Sequence, residues 1–110
     1  FLINPYGLWF DEITASNLVK IGLDGQAVEP NSQVVNPAGF VIHSAIHGAR
    51  EDAQCVLHTH TKAGTAVSCQ KRGLKAINQT TMAGQPMLAY QEYEGIALDH
   101  DGLPRVVRDA

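Results

Sequence analysis

Apolar and polar residues alternate in short bursts at the start of the chain, shift to helical spacing in its middle, and return to short apolar runs towards its end. This pattern predicts strands, then helices, then strands again. Phe1 to Asn4 reads as a short strand ended by the turn Asn4-Pro5-Tyr6-Gly7. Thr14 to Leu18 reads as a short helical turn capped by Thr14 or Ser16, followed by a strand from Leu18 to Leu23. Asp24-Gly25 is a hairpin signal, Gln26 to Glu29 a return strand, and Pro30-Asn31-Ser32-Gln33 a loop.

From Ala38 to Arg50, Ile42, Ala45, Ile46 and Ala49 recur at helical spacing, with Pro37 suited to the first turn. The turn Arg50-Glu51-Asp52 leads into a strand from Gln54 to Thr59. A second helix covers Lys62 to Arg72, with Ala63, Ala66, Val67 and Gln70 on one face and Gly73 as its stop. Lys71-Arg72 then sits where positive charge favours the helix C-terminus. Three strand-like runs follow, Leu74 to Ile77, Met87 to Tyr90 and Gly95 to Asp99, punctuated by Gly84-Gln85-Pro86 and the turn His100-Asp101-Gly102. The order of elements describes an α/β chain.

Within the Gln54 to Thr59 strand and just beyond it, Val56-Leu57-His58-Thr59-His60-Thr61 is the segment richest in chemistry. Side chains alternate faces along a strand, so His58 and His60 point the same way. Two neutral imidazoles on one face can each turn a ring nitrogen towards one divalent ion, and zinc suits such ligands. Catalysis there would need one or two further ligands and an open position. The helix that follows places the pair at a strand's C-terminal end, where open α/β sheets hold ligands. Thr59 and Thr61 add little on composition alone: either could donate a hydrogen bond behind the rings, but β-branched threonine also belongs in any strand. His43 and His47, four apart on the first helix, form a weaker pair because no acidic partner completes a metalloprotease motif. Tyr90, Glu92, Tyr93 and Glu94 form a polar cluster able to move a proton, but no catalytic or substrate-binding residue is assignable from sequence.

The 110 residues suffice for one domain, and 45% hydrophobic content is ordinary for a soluble core. The chain opens on Phe1-Leu2-Ile3, a strand already under way, and closes on Pro104 to Ala110 without a stop signal. Residues 1–110 are therefore expected to be part of a larger domain. A net charge of −3 without a basic cluster argues against a nucleic-acid partner. No apolar run approaches a membrane span and no leader pattern precedes the first strand, so membrane insertion is not expected. Cys55 and Cys69 are expected to be reduced, buried thiols of a cytoplasmic protein, without a nucleophile's surroundings.

Three blocks carry a resemblance to a known family: Asn36-Pro37-Ala38-Gly39-Phe40 with His43-Ser44-Ala45-Ile46, then Cys55 to Thr61, then Ala63-Gly64-Thr65-Ala66-Val67-Ser68. Ala89-Tyr90, Tyr93, Gly95-Ile96 and Asp99 continue the pattern. The chain resembles the class II aldolase and adducin domain family, most closely its adducin branch. The resemblance implies a three-layer α-β-α domain with a mostly antiparallel central sheet and a zinc site. It implies metal-dependent lyase or epimerase chemistry on small, usually phosphorylated, sugars, and a homo-oligomer with sites at subunit borders. The family's first two zinc ligands match His58 and His60. Its third is a downstream histidine with no counterpart in this chain, for which His100, His43 or His47 would have to substitute. The aldolases' glutamate and phosphate-binding hydroxyls are replaced here by Gly39 and by Pro37 and Ala38. By resemblance to the animal adducins, which organise the membrane skeleton, a non-catalytic interaction domain is the alternative reading.

Overall fold

Period-two alternation buries Ile3, Val19 and Ile21 together and leaves Leu2 and Lys20 outside them. In the computed structural model, which describes residues 1–30, 33–91, 93, 95–96 and 103–109, these positions build a small antiparallel pair. Strand β1 (Leu2–Ile3) pairs with β2 (Val19–Lys20) in the register Leu2 to Lys20 and Ile3 to Val19. The Phe1 ammonium donates to the Ile21 carbonyl at 2.9 Å, and Ile21 N–H donates to the Phe1 carbonyl at 2.9 Å. The expected return strand over Gln26 to Glu29 is reduced to one bridge between Ile21 and Ala27, closed by a turn in which Gly25 takes φ 82°. The expected helical turn at Thr14 to Leu18 is a non-helical turn instead, because the Asn17 side chain accepts from Thr14 N–H and donates to the Glu12 carbonyl.

The described residues fall into two units, Phe1–Val56 with Gln91–Ala110, and Leu57–Tyr90. In the first, Phe1, Val35 and Phe40 pack against the buried cluster of Ile3, Val19 and Ile21. Burying each such aliphatic side chain stabilises the fold by about 1.5–3 kcal/mol. Helix α1 (Pro37–Ala49) starts as the sequence predicts: Asn36 accepts from Ala38 N–H at 3.1 Å and Pro37 occupies the first turn. Its buried positions are Val41 and Ser44, flanked by half-buried Ile42, Ala45 and Ile46, while Ala49 is exposed. The expected stripe is thus rotated by about one residue. Small residues Ala45, Gly48 and Ala49 instead line, with Leu23, Pro104 and Val107, a cleft of about 450 Å³. Its far wall belongs to a helix the apolar pattern did not predict, Leu103–Asp109, which packs on α1.

The second unit holds α2 (Lys62–Ser68), α3 (Gln79–Gly84) and a 3₁₀ turn, Gln85–Met87, so the unpredicted C-terminal helix is α4. Helix α2 stops at Ser68, short of the expected Arg72. Ser68 Oγ donates to the Thr65 carbonyl at 2.8 Å and Gln70 N–H bonds back to Val67, which tightens the last turn. Gly73, at φ 58°, then ends that turn. Helix α3 has a capping pair overlooked in the sequence: Asn78 Oδ1 accepts from Thr81 N–H at 2.9 Å, and Thr81 Oγ1 accepts from Asn78 N–H at 3.2 Å.

The expected strands Gln54 to Thr59, Leu74 to Ile77 and Met87 to Tyr90 are not strands. A strand needs a neighbour for its N–H and C=O groups, and among the described residues none pairs with these segments. Leu57 and Ile77 are each 78% exposed. Cys55 and Cys69 are free and exposed, which corrects the expectation of buried thiols: Cys55 lies on an unpaired segment and Cys69 at the open end of α2. Asn31, Ser32, the Gly95 to Asp99 run beyond Ile96 and the turn His100-Asp101-Gly102 lie outside the described residues. Among the described residues the chain therefore combines helices with a small antiparallel sheet, and no helix is long and apolar enough to cross a membrane.

Candidate metal centre

His58 and His60 turn their rings towards each other on an exposed segment that has no regular secondary structure. Their Nε2 atoms lie 2.6 Å apart and their ring centroids 4.7 Å apart, with the planes inclined by 63°. A 2.6 Å separation is that of a ring-to-ring hydrogen bond in which one Nε2 carries the proton and the other accepts it. Two nitrogens on one tetrahedral zinc, each about 2.0–2.1 Å from it, stand roughly 3.3 Å apart. The donor set therefore fits a divalent ion once the rings part by under one ångström and the donor ring carries its hydrogen on Nδ1 instead.

The neighbours of the pair do not add ligands. Among the described residues no group of three or more histidine, cysteine or acidic side chains is placed to hold a metal ion. The Nδ1 of His47 lies 3.0 Å from the Ala53 carbonyl, the geometry of an Nδ1–H donor, and its ring packs 4.9 Å from Phe1. His43 is half-buried on α1 and has a partner of its own. His100 lies outside the described residues.

Thr61 does not reach behind a ring. Its Oγ1 accepts from Gly64 N–H at 3.2 Å and its carbonyl accepts from Thr65 N–H at 2.9 Å, so it caps α2 directly after His60. A threonine immediately before a helical run is a sequence signal for this role.

Gly39 sits half-buried in the first turn of α1, and a Cβ built on it meets nothing nearer than Asn36 Cβ at 3.7 Å. The position has room for a side chain. Within the polar cluster, Tyr90 is 64% exposed and its hydroxyl accepts from Leu74 N–H at 2.8 Å, leaving the phenolic proton available. Tyr93 is exposed, and Glu92 and Glu94 lie outside the described residues.

Residues 1–108 match the profile of the family described as "Class II Aldolase and Adducin N-terminal domain". A Caulobacter vibrioides protein named "Putative aldolase class 2 protein" is 52% identical over 109 residues, covering 99% of this chain and 42% of that protein. Alpha-adducin of Rattus norvegicus is 48% identical over 104 residues, covering 92% of this chain and 14% of that protein. An adducin-related protein of Schizosaccharomyces pombe is 45% identical, covering 90% of this chain and 32% of that protein. The chain thus spans less than half the length of each of these relatives.

Proposed function

This chain belongs to the class II aldolase and adducin N-terminal domain family, and within it we propose that His58 and His60 form a half-site for zinc or another divalent ion. The observation that carries the reading is the convergence of two exposed imidazole Nε2 atoms to 2.6 Å. In this reading residues 1–110 are part of a three-layer α-β-α domain with a mostly antiparallel central sheet. The chemistry is carbon–carbon cleavage or epimerisation of a small, sugar-derived hydroxy-carbonyl substrate. A bound ion would polarise the substrate's carbonyl oxygen. The chain's own residues set what surrounds that event. His58 and His60 supply neutral ring nitrogens on an open segment that a small molecule can approach. Gly39 supplies no carboxylate, so a proton would have to be moved by another group, and Tyr90 keeps its phenolic proton for donation. Free thiols at Cys55 and Cys69 fit a reducing, cytoplasmic setting. Exposed Leu57, Ile77, Met82 and Met87 fit burial against further polypeptide in a homo-oligomer.

One observation favours a second reading, a non-catalytic adducin-like interaction domain. Gly39 leaves empty a position with space for the carboxylate that the resemblance assigns to aldolases. An aldol-cleavage assay on sugar phosphates with added zinc, run beside zinc titration, separates the two. Turnover lost on His58→Ala and His60→Ala supports the enzyme; zinc binding through both histidines without turnover supports the interaction domain.

A further inference from the structure

The segment bearing the histidine pair has one anchor within its own unit. No backbone group from Cys55 to His60 makes a backbone–backbone hydrogen bond among the described residues. The next residue, Thr61, is fixed twice, through Oγ1 to Gly64 N–H at 3.2 Å and through its carbonyl to Thr65 N–H at 2.9 Å. These bonds hold Thr61 at φ −62° and ψ 145°, the extended conformation of a cap, and so fix the direction in which His60 leaves the helix. Gly64 completes the arrangement, because a Cβ there would stand 2.9 Å from Thr61 Oγ1, closer than a side chain tolerates.

We propose that Thr61, seated over Gly64, is the positioning residue of the histidine pair: its cap on α2 holds the end of the His58-Thr59-His60 segment in the direction that keeps both Nε2 atoms together. The role rests on the metal half-site reading for its purpose, but the Thr61 cap is made by the chain's own atoms. Each residue released from a fixed conformation regains backbone entropy, so an uncapped segment samples many states in which the two rings diverge. Losing a hydroxyl cap costs a helix about fivefold in its folding equilibrium, and the pair's metal affinity falls by a comparable factor.

The test uses the 110-residue chain with zinc as the probe. Thr61→Val keeps the β-branched shape and removes the acceptor, Thr61→Ser keeps the hydroxyl, and Gly64→Ala crowds it. Asn78→Ala removes a cap from α3 in the same unit and controls for loss of stability alone. Calorimetric zinc titration is paired with nitrogen-15 NMR of the imidazoles in the metal-free protein, which reads the ring-to-ring hydrogen bond directly. We expect Thr61→Val and Gly64→Ala to weaken zinc binding about threefold to tenfold and to erase the ring-to-ring signature, with Thr61→Ser close to the parent and Asn78→Ala without effect on either. Parent-like behaviour of Thr61→Val in both readouts overturns the proposal, as does an equal loss in Asn78→Ala. If the parent binds no zinc through the pair, the half-site reading fails while the NMR comparison still decides whether Thr61 positions the rings.

Discussion

The Nε2 atoms of His58 and His60 lie 2.6 Å apart, closer to each other than two ligands of one tetrahedral zinc stand. The hydrogen bond that this distance describes and a bound ion use the same two nitrogens. Zinc binding is therefore expected to abolish the ring-to-ring hydrogen bond in nitrogen-15 NMR of the imidazoles, and a bond that persists at zinc saturation would contradict a site shared by the two rings.

Gly39 marks the position where the sequence departs from the aldolase pattern, and its surroundings do not demand glycine. Gly39→Glu would place a carboxylate in the first turn of α1, three residues after the Asn36 cap, with 3.7 Å of clearance at Cβ. Helix propensity, the capping-box geometry and the helix dipole all favour it, by about 1 kcal/mol in total. Urea denaturation should show this gain, whereas a loss would mean that the first turn is more crowded than the structure shows.

Gly73 and Tyr90 are matched across the end of the α2 turn. Gly73 takes φ 58°, and a Cβ there would run into the Tyr90 hydroxyl that receives Leu74 N–H. Gly73→Ala should destabilise the Leu57–Tyr90 unit by about 1–3 kcal/mol, from backbone strain and the displaced hydrogen bond. In a Tyr90→Ala background the same substitution should cost less. Amide hydrogen exchange at Leu74 reads both effects, and additivity of the two changes would rule out the contact.

Arg50 and Asp52 form a two-point ion pair at 2.7 and 3.1 Å on the turn after α1. The Arg50 guanidinium, by hydrogen bonding first and by charge second, holds the Asp52 carboxyl below its ordinary value. A depressed carboxyl contributes stability above its unfolded value and loses it as pH falls through the folded one. Asp52→Asn should therefore lower stability near neutral pH, lose that effect in acid, and lose most of it at 1 M salt because the pair is exposed. An effect that persists in acid would point to the turn's backbone bonds instead.

The parts of the fold legible in the sequence are those set by local chemistry. The Asn36 and Pro37 signals start α1 correctly, Asp24-Gly25 marks a real turn, and Ile3 with Val19 carries the alternation of a real pair. Apolar runs were poorer guides. Leu74 to Ile77 and Met87 to Tyr90 have strand composition, but strand character depends on a neighbour that composition does not supply. Helix α3 announces itself only through the Asn78 and Thr81 capping pair, and α4 through packing on α1. At the candidate site, the spacing of His58 and His60 is legible in the sequence and their Nε2 atoms do converge, but the strand expected to carry them is absent. The part played by Thr61 is not legible there, because a threonine beside a histidine pair and a threonine before a helix look the same until the hydroxyl's partner is seen.

Zinc titration of the parent chain beside His58→Ala, His60→Ala and the double variant decides whether His58 and His60 act together on one divalent ion. One zinc per pair is expected in the parent, bound more weakly than at a site with three protein ligands, sharply weakened by either single change and abolished by both. Tight stoichiometric binding that survives the double change would contradict that joint action and move the metal to other residues.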